Sequence, residues 1–455
     1  MKNRLISCFL LLVMVLSLFS CNKQELVEEV KETVNKAEVN TDSMLDSAVS
    51  ELNKIPSVNL SEHTFTIVSL TDMKLVPVGD NSKYDSAISI RNKLFEKKFH
   101  TSITRLDSDI DTALDNAKSS MLAGLYYCDL FAIEESRLGR FITASVLLNL
   151  KSLAKSDFSK SYYDTDAIDQ ATNNTDCYAI FGDYNKDIAS YYCLYINRSL
   201  LSAAGYDMPY DKVENGSWTL EDAILLAKEV SDINGNVGGL SANNPEMLAK
   251  AMLNSSGQSS VDSKYAATPT LAYGNSTTDK ILDCLRRLSC TMTANNDFIE
   301  GKYLFRVGTV DDMKEITTMK DDWCVLPLPK TDAAQSEYYT PCNSDHTAIC
   351  VFAGVDDTDK ISYAIDGLYA ASSGGYMTAS YYNELIKTSI RDSSTLDMLD
   401  YICGVKGGKP IFDFADIFGV YLPTFTALYW NGGMSASEIA SSQKESFSSA
   451  LNGLY

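Results

Sequence analysis

The chain has 455 residues, 45% of them hydrophobic and 22% charged, with 39 Lys and Arg against 60 Asp and Glu for a formal net charge of −21. The composition is globular, and the length exceeds what one hydrophobic core ordinarily serves, so two or more lobes are expected. An acidic average surface repels polyanions, which argues against a nucleic-acid partner and for a neutral or cationic one, although acidity of this kind also simply keeps a protein soluble.

In chain order, Met1-Lys2-Asn3-Arg4 is a basic start followed by an apolar run from Leu5 to Phe19. The run is shorter than the roughly 20 residues a spanning helix needs, so it reads as a signal peptide over residues 1–20. It ends Leu18-Phe19-Ser20-Cys21, which resembles the lipobox of bacterial lipoproteins. The resemblance implies that Cys21 is lipidated, becomes the mature N-terminus and anchors the protein to a membrane on its extracytoplasmic side. The alternative is ordinary secretory cleavage with Cys21 unmodified. Residues 21–61 lack aromatic residues and show only patchy helical spacing, and are expected to be a solvated flexible tether, with a transient helix from Glu25 to Ala37.

The folded part opens with an alternating strand, His63 to Leu70, which ends in polar Thr71-Asp72. A helix is expected from Asp85 to Phe99, a strand from Thr101 to Leu106, a helix from Asp107 to Lys118 and a buried strand from Tyr127 to Ile133. That alternation is the pattern of an α/β layer with a parallel sheet. It restarts with a strand from Tyr191 to Ile196, a short helix from Ser199 to Ala204, and a longer helix opened by Trp218-Thr219-Leu220-Glu221-Asp222 that runs to Ser231. Thr219 is placed as its N-cap, with Glu221 and Asp222 at the positive end of the helix dipole. Asp232-Ile233-Asn234-Gly235-Asn236 has the start of a calcium loop, but Val237 and Asn243 stand where such a loop needs Gly and Glu, so it reads as a helix-exit turn.

Strands are expected at Lys302 to Thr309, Asp322 to Leu328 and Thr347 to Ala353. The remaining helices are placed at Asp359 to Ala371, Tyr381 to Lys387, Ser393 to Cys403, Pro423 to Trp430 and Ala436 to Leu451. The cysteines beyond Cys21 are scattered, with no CxxC, so neither a metal centre nor a cofactor is expected, and most should be buried small hydrophobes. In an oxidising compartment a pair such as Cys342 and Cys350 could bridge.

Several segments, in order, carry a family likeness. Tyr195-Ile196-Asn197-Arg198, Leu200-Leu201, Ala204-Gly205, Pro209 and Trp218-Thr219-Leu220-Glu221-Asp222 resemble the signature of the carbohydrate-type (family 1) extracellular solute-binding proteins of bacterial ABC importers. Ile196 splitting the Tyr-Asn pair and Arg198 in place of lysine are the departures. Asp129-Leu130-Phe131, Gly301-Lys302 to Gly308, Val325-Leu326-Pro327-Leu328-Pro329-Lys330, and Ser380-Tyr381-Tyr382-Asn383-Glu384-Leu385 with Arg391-Asp392 and Met398-Leu399 are similar to further segments of that family. The resemblance covers roughly residues 62–455.

It implies an α/β, two-lobed, type II periplasmic-binding-protein-like fold whose lobes are joined by hinge strands. Lobe 1 would comprise 62–180 plus 346–375, and lobe 2 181–345 plus 376–455, with crossings near Ala179 to Lys186, Tyr338 to His346 and Ser372 to Ala379. It also implies a monomer that captures a small solute, a sugar above all, by hinge closure and delivers it to the transmembrane subunits of a permease.

Sugars stack on aromatic rings while carboxylates and amides accept from their hydroxyls. The candidate ligand residues at expected strand ends and crossings are Asp72, Glu134, Glu135, Arg137, Asp183, Tyr184, Thr309, Asp311, Tyr339 and Tyr429. Trp218, just ahead of a helix, is expected to pack between elements rather than to bind ligand. An exported carbohydrate-active enzyme and a surface adhesion lipoprotein are the rival readings. The chain carries no GxSxG or HExxH motif, and only His63, His100 and His346.

Overall fold

The computed structural model describes residues 40–60, 63–77, 82–173, 176–235, 237–243, 245–262, 270–288, 291–292, 295–343, 346–390, 392–404, 406–413 and 434–454. The Glu25 to Ala37 and Pro423 to Trp430 helices, Cys21 and Tyr429 lie outside them. Two sheets organise the molecule. The first has strand order Thr347–Val351, Leu130–Glu134, Phe65–Ser69, Ile103–Asp107. Its last three strands are parallel, and the Thr347–Val351 strand joins antiparallel beside Leu130–Glu134. The second runs Thr291–Met292, Gly238–Ala242, Tyr303–Thr309, Tyr192–Asn197, Trp323–Leu326. Here the first three strands are parallel and Tyr192–Asn197 is antiparallel to both its neighbours. The three strands of the first alternation are parallel, as that pattern implies, and each sheet becomes mixed where a strand that arrives from the other lobe enters against the local direction.

Burial explains the strand sequences. Phe65–Ser69 and Tyr192–Asn197 are buried along their whole length, so their near-continuous apolar runs are covered on both faces. The helices Lys83–Phe99 and Thr358–Ser372 cover the first sheet, with Phe95, Phe99, Ile365 and Leu368 fully buried. In the second lobe the helix Leu220–Asn234 packs on the strand Gly238–Ala242, with Ala223, Ala227 and Val230 buried. Thr219 caps that helix reciprocally with Asp222: its N–H donates to Asp222 Oδ2 at 3.0 Å, and its side chain accepts from the Asp222 N–H. Thr219→Ala is expected to cost about 1 kcal/mol of stability. Chemical denaturation measures it, and an unchanged midpoint would show that the cap contributes nothing.

The expected tether needs correction. Asp42–Lys54 is a helix with Ala48 and Leu52 buried, docked on the helices Thr358–Ser372 and Tyr376–Thr388. Met44, Leu45, Ala48 and Leu52 recur at helical spacing, and this stripe is enough to bind the segment to the lobe without any aromatic residue. The approach is close at Gly374, whose φ is +76° and where a Cβ would lie 2.5 Å from the Met44 carbonyl oxygen. The helix Tyr376–Thr388 begins before the expected Tyr381 and lies along Lys83–Phe99 of the first lobe, with Tyr376 and Met377 in a small core beside Ala87 and Ile88. Cys342 and Cys350 are both buried free thiols and form no bridge.

Candidate functional site

Both sheets aim their carboxyl ends at the space between the lobes. From the first sheet come Thr71 and Asp72, which follow the strand Phe65–Ser69, and Glu134, which ends the strand Leu130–Glu134. From the second come Asp311 and Lys314, just past Tyr303–Thr309. These residues line one cavity of about 420 Å³ together with Lys186, Asp187, Tyr84, Tyr381 and Glu384. A second cavity of about 270 Å³ lies on the other side of the crossing segment, lined by Asp164, Asp183, Lys186, Phe181, His346 and Phe412 among others. Lys186 reaches both. Clefts at the carboxyl ends of open α/β sheets are where ligands sit, because loops there are free to vary on a fixed scaffold.

The lobes touch across this space through Tyr84 with Tyr381 and Lys250 with Glu135, and polar contacts within the second lobe brace its wall. Tyr381 Oη donates to Asp311 Oδ1 at 3.2 Å, and the Tyr381 ring meets the Tyr84 ring edge-on at 5.4 Å. Tyr192 Oη donates to Asn343 Oδ1 at 3.2 Å. Lys250 Nζ, from the second-lobe helix Pro245–Asn254, lies 3.5 Å from Glu135 Oε2 of the first lobe, with side chains 4% and 3% exposed. The same Nζ donates to the Asp413 carbonyl oxygen at 3.3 Å. Asp413 Oδ2 accepts from Asn254 Nδ2 at 2.8 Å and from the Ser260 N–H at 3.1 Å, so the chain after the strand Gly408–Ile411 is pinned to the second lobe.

The candidate residues separate. Asp72, Glu134 and Asp311 come together in the larger cavity and Asp183 faces the smaller one. Arg137 is paired with Glu134 at 2.6 Å, and Glu135 is the buried partner of Lys250. Thr309 gives its carbonyl to Tyr195 Oη and its N–H to Asp312 Oδ2. Tyr339 packs its ring on Gly257. Tyr184 is 1% exposed, with its ring under the Arg91 guanidinium at 4.5 Å. Neither cavity includes Arg137, Glu135, Thr309, Tyr339 or Tyr184 among its lining residues.

The residues not anticipated had unequal signals. Lys186 and Asp187 sit at the end of the expected first crossing, and His346 at the end of the second. Tyr381 stood in a tyrosine pair. Glu384 stood in the same Ser380 to Leu385 segment as Tyr381, while Tyr84 and Asp164 carried no local mark, since they reach the cleft only through helix packing and a chain reversal. Trp218 is fully buried, its indole N–H donating to the Pro327 carbonyl at 3.2 Å, as its place ahead of the helix implied.

A third cavity, of about 340 Å³, lies in the first lobe at the amino ends of its strands, lined by His63, Tyr126, Asp129 and Lys360. Its polar groups satisfy one another: Asp129 accepts from Tyr126 Oη at 2.7 Å and the Thr66 N–H at 2.7 Å, and pairs with His63 Nε2 at 2.8 Å. The interlobe cavities, which gather groups from both lobes at the strands' carboxyl ends, are the better candidates. Among the described residues no cluster of His, Cys, Asp and Glu is arranged to hold a metal ion.

Burial displaces several ionisations near the cleft. It pushes Asp183 up to about 6, aided by Asp164, and Asp187 up to about 6, aided by Asp311. Asp366, bonded to Tyr163, also rises to about 6 by burial, while burial and Lys250 hold His346 down at about 3. Between pH 4 and 6 the three raised carboxyls bind more protons folded than unfolded, so their contribution to stability is present below about 4 and lost as pH rises through 6. His346 has the opposite sign, losing stability as pH falls from 6.5 toward 3, but it is one group against three. The melting temperature is therefore expected to be higher at pH 5 than at pH 7.5. A lower melting temperature at pH 5 would show that His346 dominates.

No family model and no curated protein matches the sequence. Solved structures do match. The sugar-binding protein MalE from the phytopathogen Xanthomonas citri superposes with a TM-score of 0.59 at 13% identity, over 86% of this chain and 97% of that one. The GacH receptor of Streptomyces glaucescens, solved unliganded and with acarbose, gives 0.54 at 15% identity over 86% and 98%. UgpB from Mycobacterium tuberculosis, in complex with glycerophosphocholine, gives 0.55 at 13% identity over 86% and 98%. The chain therefore has the two-lobed, type II periplasmic-binding-protein-like fold that its motifs resembled.

Proposed function

We propose that this protein is the substrate-binding lipoprotein of an ABC importer, which captures a small solute, a mono- or oligosaccharide, in the interlobe cleft and presents it to a membrane permease. The observation that carries the reading is the convergence of both sheets' carboxyl ends on one cleft lined by carboxylates, lysines and tyrosines from both lobes. Such groups accept from and donate to hydroxyls, and contacts made to both lobes at once favour the closed, liganded state. One of the structures above is of a sugar-binding protein and another is of a receptor solved with acarbose, and their fold is compatible with a saccharide-binding role here.

The finer parts of the proposal follow from the same reading. Lobe 1 is residues 62–180 plus 346–375 and lobe 2 is 181–345 plus 376–455, with the helix Tyr376–Thr388 bridging them. Cys21 is the lipid anchor, the protein works outside the cytoplasm as a monomer, and it catalyses no reaction. A thermal-shift screen of the purified protein against mono- and oligosaccharides, followed by solution scattering with the best hit, tests this. A raised melting temperature and a smaller radius of gyration with ligand are expected. A saccharide that is hydrolysed, or one that binds with unchanged scattering, would overturn capture by hinge closure.

A further inference from the structure

The smaller cavity has a chemistry of its own. Residues 162–164 and 181–183 run antiparallel around the Tyr163–Gly182 bridge: the Asp164 N–H donates to the Phe181 carbonyl and the Asp183 N–H to the Tyr162 carbonyl, both at 2.9 Å. In such a pair, opposed residues share a face and neighbours alternate. Asp164, Phe181 and Asp183 therefore share a face and line the cavity, whereas the Tyr162 ring turns back to lie 4.9 Å from the Tyr163 ring. Tyr163 points the other way, to Asp366 in the core.

The far wall is aromatic. The His346 ring stacks on Phe181 at 5.5 Å and lies 4.7 Å from Phe412. His346 is 2% exposed, and its Nδ1 has no hydrogen-bond partner among the described residues. With burial holding its pKa at about 3, this imidazole is neutral, adds no positive charge and presents a ring face. Three carboxylates, Asp164, Asp166 and Asp183, line the cavity with one cation, Lys186. Asp164 already caps a short helix by accepting the Ala167 N–H at 3.0 Å. Asp183 is half-buried beside it.

We propose that this chamber is the subsite for a protonated amino group of the ligand, so that, resting on the carbohydrate reading above, the solute captured is an amino sugar. A second ammonium between Asp183 and Asp164 relieves the repulsion of two like charges held out of water, and the surrounding rings add cation–π attraction. A neutral hexose offers neither. Because burial and Asp164 raise Asp183 to about 6, protons compete with the amine, and affinity should fall as pH drops through that value.

The test is isothermal titration of the full chain with glucosamine, galactosamine and mannosamine, each paired with its parent hexose and its N-acetyl derivative, at pH 7.5 and pH 5. At least one amine is expected to bind about tenfold tighter than both its neutral partners at pH 7.5, a charge-assisted hydrogen bond's worth, and to lose most of that advantage at pH 5. Asp183→Asn should abolish the difference, and Lys186→Met, which removes the competing cation, should enlarge it; melting curves confirm that both variants are folded. If parent hexoses bind as tightly as the amines, or if neither variant moves the difference, the amine subsite is overturned while the carbohydrate reading stands. If none of these sugars binds, the amine subsite is overturned, and the carbohydrate reading falls with it only if the oligosaccharides of the thermal-shift screen are also without effect.

Discussion

Lys250→Met is expected to open the cleft. Lys250 and Glu135 are a buried pair drawn from opposite lobes. Removing the ammonium takes a buried ion-pair partner from the Glu135 carboxylate, which costs about 3–5 kcal/mol. The cheapest relief is for the carboxylate to reach water, and that requires the lobes to part. The variant should therefore show a larger radius of gyration and a lower melting temperature than the parent, and weaker ligand binding because closure must now be driven by ligand alone. The paired replacement Glu135→Leu with Lys250→Met removes both charges and should recover most of the loss, since two apolar groups of similar size demand no hydration. Scattering and melting curves for the single and double variants that both match the parent would show that the pair does not hold the lobes.

Trp218→Ala should be the most damaging single change in the second lobe. The indole is fully buried beside Phe305, and its N–H satisfies the Pro327 carbonyl. Its backbone is held from both sides as well, by the Tyr338 hydroxyl and by the Lys330 N–H. Truncation to alanine loses the transfer energy of the ring and leaves a cavity, together about 3–5 kcal/mol, and orphans the Pro327 carbonyl. Trp218→Phe should cost less, because most of the apolar volume remains. Denaturant unfolding measures both. A strong loss of ligand affinity with no loss of stability would instead make Trp218 part of the binding surface.

The fold was legible in the sequence where a local pattern and its tertiary environment agree. Phe65–Ser69, Leu130–Glu134 and Tyr192–Asn197 are apolar because they are buried on both faces, and their sequences say so without help. Thr219 with Asp222 announces a helix start because a cap is satisfied within four residues. The strand Gly238–Ala242 was not expected, since Gly-Gly-Leu-Ser-Ala has neither β-branched nor aromatic residues. It needs its glycines because the second sheet packs so closely there: a Cβ on Gly239 would lie 2.2 Å from the Leu288 carbonyl oxygen. The helix Asp42–Lys54 was read as spacer because its apolar stripe is short, and its docking is supplied by the groove it meets rather than by its own propensity.

The site divides along the same line. By itself the sequence determined most strands of the two sheets, the capped start after Trp218, and the strand ends beside which Asp72, Glu134 and Asp311 lie, because those follow from hydrophobic period and chain punctuation over a few residues. Only the tertiary structure decided that Glu135 faces Lys250 rather than solvent, that Tyr184 lies under Arg91, and that Asp164 meets Asp183 and His346 in one chamber. Those partners lie far apart in sequence, and a side chain's role in a cleft depends on which group the opposite lobe presents to it when the lobes close. That information belongs to the packing of the whole chain and leaves no mark on any short stretch of it.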